Sequence, residues 1–583
     1  MFIKQIILII LIFFSKDIYS QGFLKANGNS IVNANGKEVI LRGIGLGGWM
    51  LQEPYMLQLG GIAANQNSIR SKITDLIGED AANKFYNAWL TNDCGKADID
   101  SLSAWGFNSI RLPMHYNLFT LAIEQEPVTG KNTWLSKGFQ LTDSLLSWCK
   151  ADKIYLILDL HATPGGQGND IAISDRDTSK PSLWQSELNK QKTIALWKKL
   201  AERYANEQWI GGYDLINETN WGFQNASDKN GCAETENVPL KKLLTDITDA
   251  IRQVDKKHLI FIEANCWANN YNGIFPLWDA NMVVSFHKYW NNNDQQSIQK
   301  FLDIRDKFNV PIWCGESGEN SNTWFTDAIE LLEKNKIGWA WWPLKKIGLN
   351  NPLQVKPNNG YNQLISYWKG QSPKPLQAAA IKALMQLTKD IKTETTFFHK
   401  DVIDAMFRQV NSVKTIPFKQ YLIKSNAILF AVDYDLGRNH FAYFDNDTAN
   451  YYVSTGKRTT GNKGGQYRND GVDIEACTDS ITNGFNVGWI EDGEWLQYTI
   501  NVGKTGLFNL NIRTSNDIGE IQLALNDVAP GEKVSLVKKV GANDWKTTTI
   551  KNIHLTKGTT RFKIFIVKGG FKLNYFQFVS SHN

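Results

Sequence analysis

Between residues 36 and 345 the sequence repeats one alternation, a short apolar run that reads as a β-strand followed by a longer stretch with apolar residues at helical spacing. The runs are Glu38–Ile44, Phe107–Leu112, Lys153–Leu160, Gly212–Ile216, His258–Ile262, Met282–Phe286, Val310–Cys314 and Ile337–Trp342. Eight is the number that closes a parallel barrel, so the reading is α/β, a (β/α)8 (TIM) barrel. Stretches such as Leu141–Cys149 and Ile194–Tyr204 carry the apolar stripe of helices that cover its outside. Pro375–Leu387 continues that cover, which places the end of the barrel domain near residue 412. A chain of 583 residues exceeds what one core usually supports, and a second domain is expected. From about residue 420 the texture changes to alternating runs, clearest at Trp495–Val502, Leu507–Arg513 and Thr560–Val567. Period-two patterning at that spacing predicts an antiparallel β-sandwich of jelly-roll type. The predicted division is therefore 1–20, 21–412 and 420–583, with no internal repeat and no long Pro- or Ser-rich linker.

The first segment, Met1–Ser20, has a basic start and an apolar stretch too short to span a bilayer comfortably, and reads as a secretory signal peptide cleaved near Ser20. The expected location is therefore secreted, extracellular or periplasmic, with no membrane contact after cleavage and a monomeric state. The 6 cysteines lack CxxC spacing and suggest neither a disulfide framework nor a zinc site. Net charge is +5 without a basic stripe, so nucleic-acid binding has no support. The chain holds 21 Trp, 19 Tyr and 29 Phe, and such rings stack on the apolar faces of sugars as well as filling cores.

Two of the runs end in glutamate: Gly211–Glu218 and Val310–Glu316. A carboxylate has no cheap place at the end of a buried strand unless something polar waits there. Two of them, after different strands, are what hydrolysis of a glycosidic bond needs, one to protonate the leaving oxygen and one to attack or assist at the anomeric carbon. Barrel chemistry sits where strands end. Taking polar residues there, strand by strand, collects Glu53, Arg111 and His115, His161, Asn217 and Glu218, His287 and Tyr289, Glu316, and Trp342.

The ordered motifs Leu41–Ile44, Ile110–Pro113, Asp159–His161, Leu215–Glu218, His287–Tyr289 and Gly315–Glu316 resemble those of glycoside hydrolase family 5, a retaining (β/α)8-barrel family. Gly43–Tyr55 and Asp159–Gln167 are most similar to its exo-β-1,3-glucanase branch, with Ala162 where that branch usually has glycine. The resemblance implies Glu218 as general acid/base and Glu316 as nucleophile. It implies that Asn217 bonds the sugar 2-OH, that Arg111 and Tyr289 donate to Glu316, that His161 and His287 line the subsite over Trp342, and that Glu53 binds a sugar hydroxyl. No cofactor and no metal is implied, and the histidines form no HExxH motif.

Tyr467–Glu475, Phe485–Tyr498 and Phe571–Phe578 resemble carbohydrate-binding module family 6, a β-sandwich. The resemblance implies that Trp489, Trp545 and Asn574 grip a sugar ring. The family's opening Ile-Glu-Ala-Glu reads Leu429–Val432 here, without the acids that commonly help hold a structural calcium. The expected partner is a β-glucan or related polysaccharide, β-1,3-linked by preference. An endo-β-1,4-glucanase or mannanase is the alternative, and a non-catalytic glycan-binding protein the alternative of another class.

Overall fold

The computed structural model describes residues 22–515, 518–536 and 545–581; the signal-peptide segment 1–20 lies outside the described residues. Parallel strands β1 (Arg42–Gly45), β2 (Ser109–His115), β3 (Tyr155–Ala162), β4 (Ile210–Asp214), β5 (Leu259–Glu263), β6 (Met282–Lys288), β7 (Ile312–Gly318) and β8 (Gly338–Trp342) close a barrel in which β8 pairs with β1. Every expected strand run contributes one of them. Helices α1 (Lys96–Trp105), α2 (Ser136–Asp152), α3 (Glu187–Tyr204), α4 (Val238–Arg252), α5 (Gln295–Phe308) and α6 (Asn322–Lys334) cover the outside. Their inner stripes are apolar; on α3, Leu196, Trp197, Leu200 and Ala201 are fully buried. Burial of each of these leucines contributes roughly 1.5–3 kcal/mol.

Alternation along each strand explains where the site can be. On β3, Leu156, Leu158 and Leu160 join the core beneath the helices. Tyr155 and Ile157 belong to a second cluster with Leu259, Phe261, Val283, Trp313 and Ala340. That inner cluster ends below Asp159 and His161 on β3 and below Glu263 on β5. The barrel interior is thus apolar at the strand starts and charged at the strand ends. Leu24 and Ile31, from and beside a short hairpin (Lys25–Asn27 with Ser30–Val32), join the inner cluster at its apolar end.

C-terminal to the barrel, two sheets face each other across a core of Ile423, Tyr498, Phe562, Ile564, Phe576 and their neighbours. Their central strands are β9 (Trp495–Val502), β10 (Gly506–Ser515), β11 (Trp545–Leu555), β12 (Gly558–Lys568) and β13 (Lys572–Ser580). Pairings among these are antiparallel, as expected. The edge pair Leu422–Ile423 with Asn501–Val502 is parallel, a local departure from the expected pattern.

The cysteine reading needs correction. Cys232 and Cys266 form a disulfide, while Cys94, Cys149, Cys314 and Cys477 are free. A lone bridge 34 residues apart in sequence leaves no spacing signature, which is why motif counting misses it. Among the described residues no helix is long and apolar enough to cross a membrane.

Candidate active site

A cleft of about 590 Å³ opens over the charged end of the barrel, within the usual range for a ligand site. Glu53, His161, Glu218, His287, Tyr289, Glu316 and Trp342 all line it. Arg111 and Asn217 lie fully buried beneath. Residues collected from separate strand ends therefore converge on one place, with one exception. His115 pairs with Asp175 (Nε2 to Oδ2, 2.9 Å) and lines a neighbouring cavity instead.

Glu218 and Glu316 stand 5% exposed each. Glu218 follows β4 with φ +40°, a left-handed backbone that a side chain disfavours, and its amide donates to Glu263 Oε2 at 2.7 Å. Glu316 lies within β7, where the register with β6 shifts between Phe286 and His287 so that His287 pairs with Glu316. Bulges of this kind re-aim side chains near sites. Gly315 permits the close approach: a Cβ there would meet Ser285 Oγ at 2.2 Å.

His287 bridges the pair. Its Nδ1 lies 2.6 Å from Glu218 Oε1 and 3.2 Å from Glu316 Oε2, and its Nε2 lies 3.0 Å from Glu263 Oε1. One ligand-type atom from each of Glu218, His287 and Glu316 lies within 4.8 Å of the others, and among the described residues this is the one group of His, Cys and acid side chains close enough to surround an ion. The ring nitrogens already fill the space between the carboxylates, so the group reads as a proton-sharing cluster.

The two carboxyls differ in proton affinity. Burial, opposed by His287 and reinforced by the charges of Glu316 and Glu263, pushes Glu218 up to about 7. Burial also pushes Glu316 up, but His287, Arg111 and His161 outweigh it and hold that carboxyl below its ordinary value. His287 is itself depressed by burial yet lifted well above its usual range by Glu263, Glu316 and Glu218. The three acids around it favour its protonated form.

Arg111 reaches Glu316 by a long hydrogen bond, as expected, and holds closer partners besides. Its guanidinium bonds Asp214 (2.9 Å), Asn217 Oδ1 (2.8 Å) and Glu263 (2.8 Å), with Asp159 at 3.2 Å and Glu316 only at 3.5 Å. Nη1 donates to Glu316 Oε1 at that 3.5 Å, a long bond, and the closer partner of Glu316 is His287. Tyr289 is half-buried in the cleft, its hydroxyl raised chiefly by desolvation and next by the Glu316 charge. Asp159 accepts from His161 Nδ1 at 2.7 Å, which leaves Nε2 free to accept from Asn217 Nδ2 at 3.3 Å. Trp342 stacks on His161, centroids 5.2 Å apart and planes 5° apart, and donates to Tyr55 OH at 2.9 Å. Glu53 is buried at the same wall and raised well above its ordinary value by burial and by Glu316, Glu319 and Glu218.

Several residues of the site escaped sequence reasoning. Glu263 is the first, although it directly follows the fifth run and the strand-end rule applied there would have found it. Asp159 and Asp214 sit inside strand runs and look like ordinary alternation. Trp267 and Tyr452, in the short helical turns Asn265–Ala268 and Tyr452–Thr455, and Trp290, in the loop after β6, also line the cleft and carry no periodic signal.

On the sandwich, Trp489 stands 47% exposed. Trp545 donates to Thr478 Oγ1 at 3.5 Å, and Asn574 donates to Asp479 Oδ2 (2.9 Å) and Ile481 O (2.8 Å), so both meet the same 478–481 loop. Asn574 is fully buried, contrary to an open sugar-facing position, though its Oδ1 has no partner among the described residues.

Comparison with known proteins agrees with this geometry. Residues 67–347 match the cellulase family, glycosyl hydrolase family 5, and residues 466–580 match the family 6 carbohydrate binding module. A β-xylosidase of Phanerodontia chrysosporium is 27% identical over 379 residues, covering 59% of this chain and 75% of the relative. Endoglucanase C of Acetivibrio thermocellus is 24% identical over 316 residues (43% and 83%). A probable glucan 1,3-β-glucosidase A of Aspergillus clavatus is 25% identical over 268 residues (44% and 57%). The chain is a glycoside hydrolase of family 5 that carries a family 6 carbohydrate binding module.

Proposed function

We propose that the protein is a secreted, retaining hydrolase of β-linked glucans, with β-1,3-glucan its preferred substrate, working by double displacement through Glu218 and Glu316. The observation that carries this reading is the pair itself: carboxyl oxygens within 4.8 Å and proton affinities driven in opposite directions. Retention calls for carboxyls about 5–5.5 Å apart, whereas inversion needs a wider gap to admit a water. Glu218, protonated up to about pH 7, gives its proton to the leaving oxygen as Glu316 attacks the anomeric carbon. Water then attacks the glycosyl–Glu316 ester while Glu218 takes the proton back. Asn217, its Oδ1 turned to Arg111, directs Nδ2 toward the sugar 2-OH; His161 and Trp342 floor the subsite, Glu53 bonds a sugar hydroxyl, and Tyr289 is assigned to donate to Glu316.

The relative named as a glucan 1,3-β-glucosidase supports the β-1,3 preference, and the relative named as an endoglucanase supports β-1,4 as a second reading. Secretion is supported by the Met1–Ser20 sequence and by the Cys232–Cys266 disulfide, since such bonds persist in oxidising compartments. The sandwich is assigned to hold the polymer through Trp489 and Trp545, with the buried Asn574 bracing the 479–481 loop. Wild-type enzyme on laminarin, lichenan, carboxymethylcellulose and mannan, with products sized over time and their anomeric form read by NMR, tests the reading. Laminarin is expected to be cleaved fastest with β-anomer first; initial α-anomer overturns retention, and faster cleavage of carboxymethylcellulose overturns the linkage.

A further inference from the structure

Tyr452 and Val453 line the cleft although they lie in neither matched range, between the barrel family's last matched residue at 347 and the module's first at 466. Their segment is fastened to the barrel along its length. Asn320 Nδ2 donates to Asn450 O at 2.7 Å and Asn450 N donates back to Asn320 Oδ1 at 2.9 Å. Val453 N donates to Trp290 O at 2.9 Å, and Asn292 N to Ser454 Oγ at 2.8 Å. Ala449 belongs to the barrel's own hydrophobic cluster, and Tyr451 packs against it. Tyr451 therefore faces the barrel core while Tyr452 lines the cleft, 42% exposed, with Arg458 at 5.2 Å from its ring centroid.

Position around the barrel tells what such a ring can meet. Glu53, Tyr55, His161 and Trp342 come from β1, β3 and β8. Trp267 follows β5 and Trp290 follows β6, and the Tyr452 segment is tied to the loops after β6 and β7. In a closed ring of eight strands β6 lies opposite β2, so the aromatic residues Trp267, Trp290 and Tyr452 face the Trp342 wall across the mouth.

We propose that Tyr452 is an aromatic platform on the leaving-group side of the cleft, taking an unreacted sugar ring of a β-linked oligosaccharide, so that the chain joining barrel to sandwich sets the substrate length the barrel prefers. The proposal rests on the glycosidase reading of the same cleft. A sugar over Trp342 and His161 places its leaving-group neighbour toward the facing aromatic set, and ring stacking there favours long substrates without touching the reacting bond.

The test compares wild type, Tyr452→Ala and Tyr452→Phe on laminarihexaose, or on cellohexaose if the wild type cleaves only that linkage. The comparator is a β-glycosyl fluoride, whose leaving group carries no ring: β-D-glucosyl fluoride if the wild type releases glucose, the biosyl fluoride if it releases biose. The ratio of kcat/KM for hexasaccharide over fluoride is expected to fall about fivefold or more in Tyr452→Ala and to stay within about twofold in Tyr452→Phe. An unchanged ratio in Tyr452→Ala, or equal loss on both substrates, overturns the proposal. A wild type that hydrolyses neither hexasaccharide overturns the glycosidase reading itself, and that result is read before any variant is made.

Discussion

Glu218 and Glu316 are the same side chain, and their neighbours drive them apart: Glu316 shares His287 and the Arg111 charge, while Glu218 is buried against both Glu316 and Glu263. If Glu218 is the acid, kcat/KM is expected to be bell-shaped in pH, its alkaline limb falling near 7 and its acid limb below the ordinary carboxylate range. The same shift has a stability consequence of definite sign. A carboxyl raised in the fold contributes stability that is present below its unfolded value and lost as pH rises through about 7. Glu218→Gln, which cannot ionise, is therefore expected to have a higher Tm than wild type at pH 8 and nearly the same Tm at pH 4, read by calorimetry; a lower Tm at pH 8 counts against the assignment. Glu316→Ala is expected to lose at least about 10⁴-fold in kcat and to recover part of it with azide, which fits the cavity left by the lost carboxylate and yields a glycosyl azide of inverted anomeric form. At this scale much of the site was legible, because a charged residue closing an apolar run is itself a signal. Glu263 shows the limit: it obeys the signal, yet it stands one residue past the apolar run His258–Ile262. That Glu316 leans on His287 more than on Arg111 depends on distances of a few tenths of an ångström, which sequence does not encode.

The strands were legible as elements because barrel interiors impose period two and the outer helices demand apolar outward faces, so each run announces itself twice. What the pattern leaves out is why glycines crowd Gly43–Gly48. A Cβ on Gly45 would lie 2.5 Å from Trp342 Cε3, and one on Gly47 would lie 2.6 Å from its Cζ2. Gly45 and Gly47 leave the room in which the Trp342 indole lies flat against His161. Gly45→Ala, at a residue whose φ is not left-handed, is expected to push the indole off its stack, costing about 1–3 kcal/mol of stability and at least about tenfold in kcat/KM, measured by denaturant melts and laminarin turnover. Unaltered turnover would mean that Trp342 does not bear on the sugar. The loop after β5 is a second such case. Cys266, Trp267 and Ala268 in succession adopt positive φ, and the Cys232–Cys266 bond together with Trp267 N donating to Thr219 O holds that run at the cleft wall. None of these constraints has a repeat in sequence, so none was expected.

Across the whole molecule the sandwich is joined to the barrel by polar contacts as well as by the chain. Asn322, at the start of α6, donates from its backbone to Asn469 O at 2.8 Å and from its side chain to Asp401 Oδ2 at 2.8 Å and Asp470 Oδ1 at 3.0 Å. Asn469 returns bonds to Asp401 Oδ2, Asn320 O and Asn322 Oδ1. Asn322, Asp401 and Asp470 are 1% exposed, so these groups have left water and depend on one another. Buried Asn and Asp at a junction carry no periodicity, so the sequence predicts two domains without showing how they meet. Such a network resists sliding, and it fixes the Asn450–Thr455 segment at the cleft. Wild-type protein is accordingly expected to unfold in a single calorimetric transition. Asn322→Ala removes one hydrogen bond each from Asp401, Asp470 and the Asn469 side-chain amide, which keep their other partners; at about 0.5–1.5 kcal/mol per lost bond it is expected to split that transition into two with the earlier one lowered by several degrees. If docking also shapes the cleft, the same variant loses relatively more kcat/KM on a hexasaccharide than on a glycosyl fluoride, although residue 322 lies beyond the reach of substrate. Two resolved transitions already in the wild type would mean that the junction is a tether, and the length preference would then have to come from the barrel loops alone.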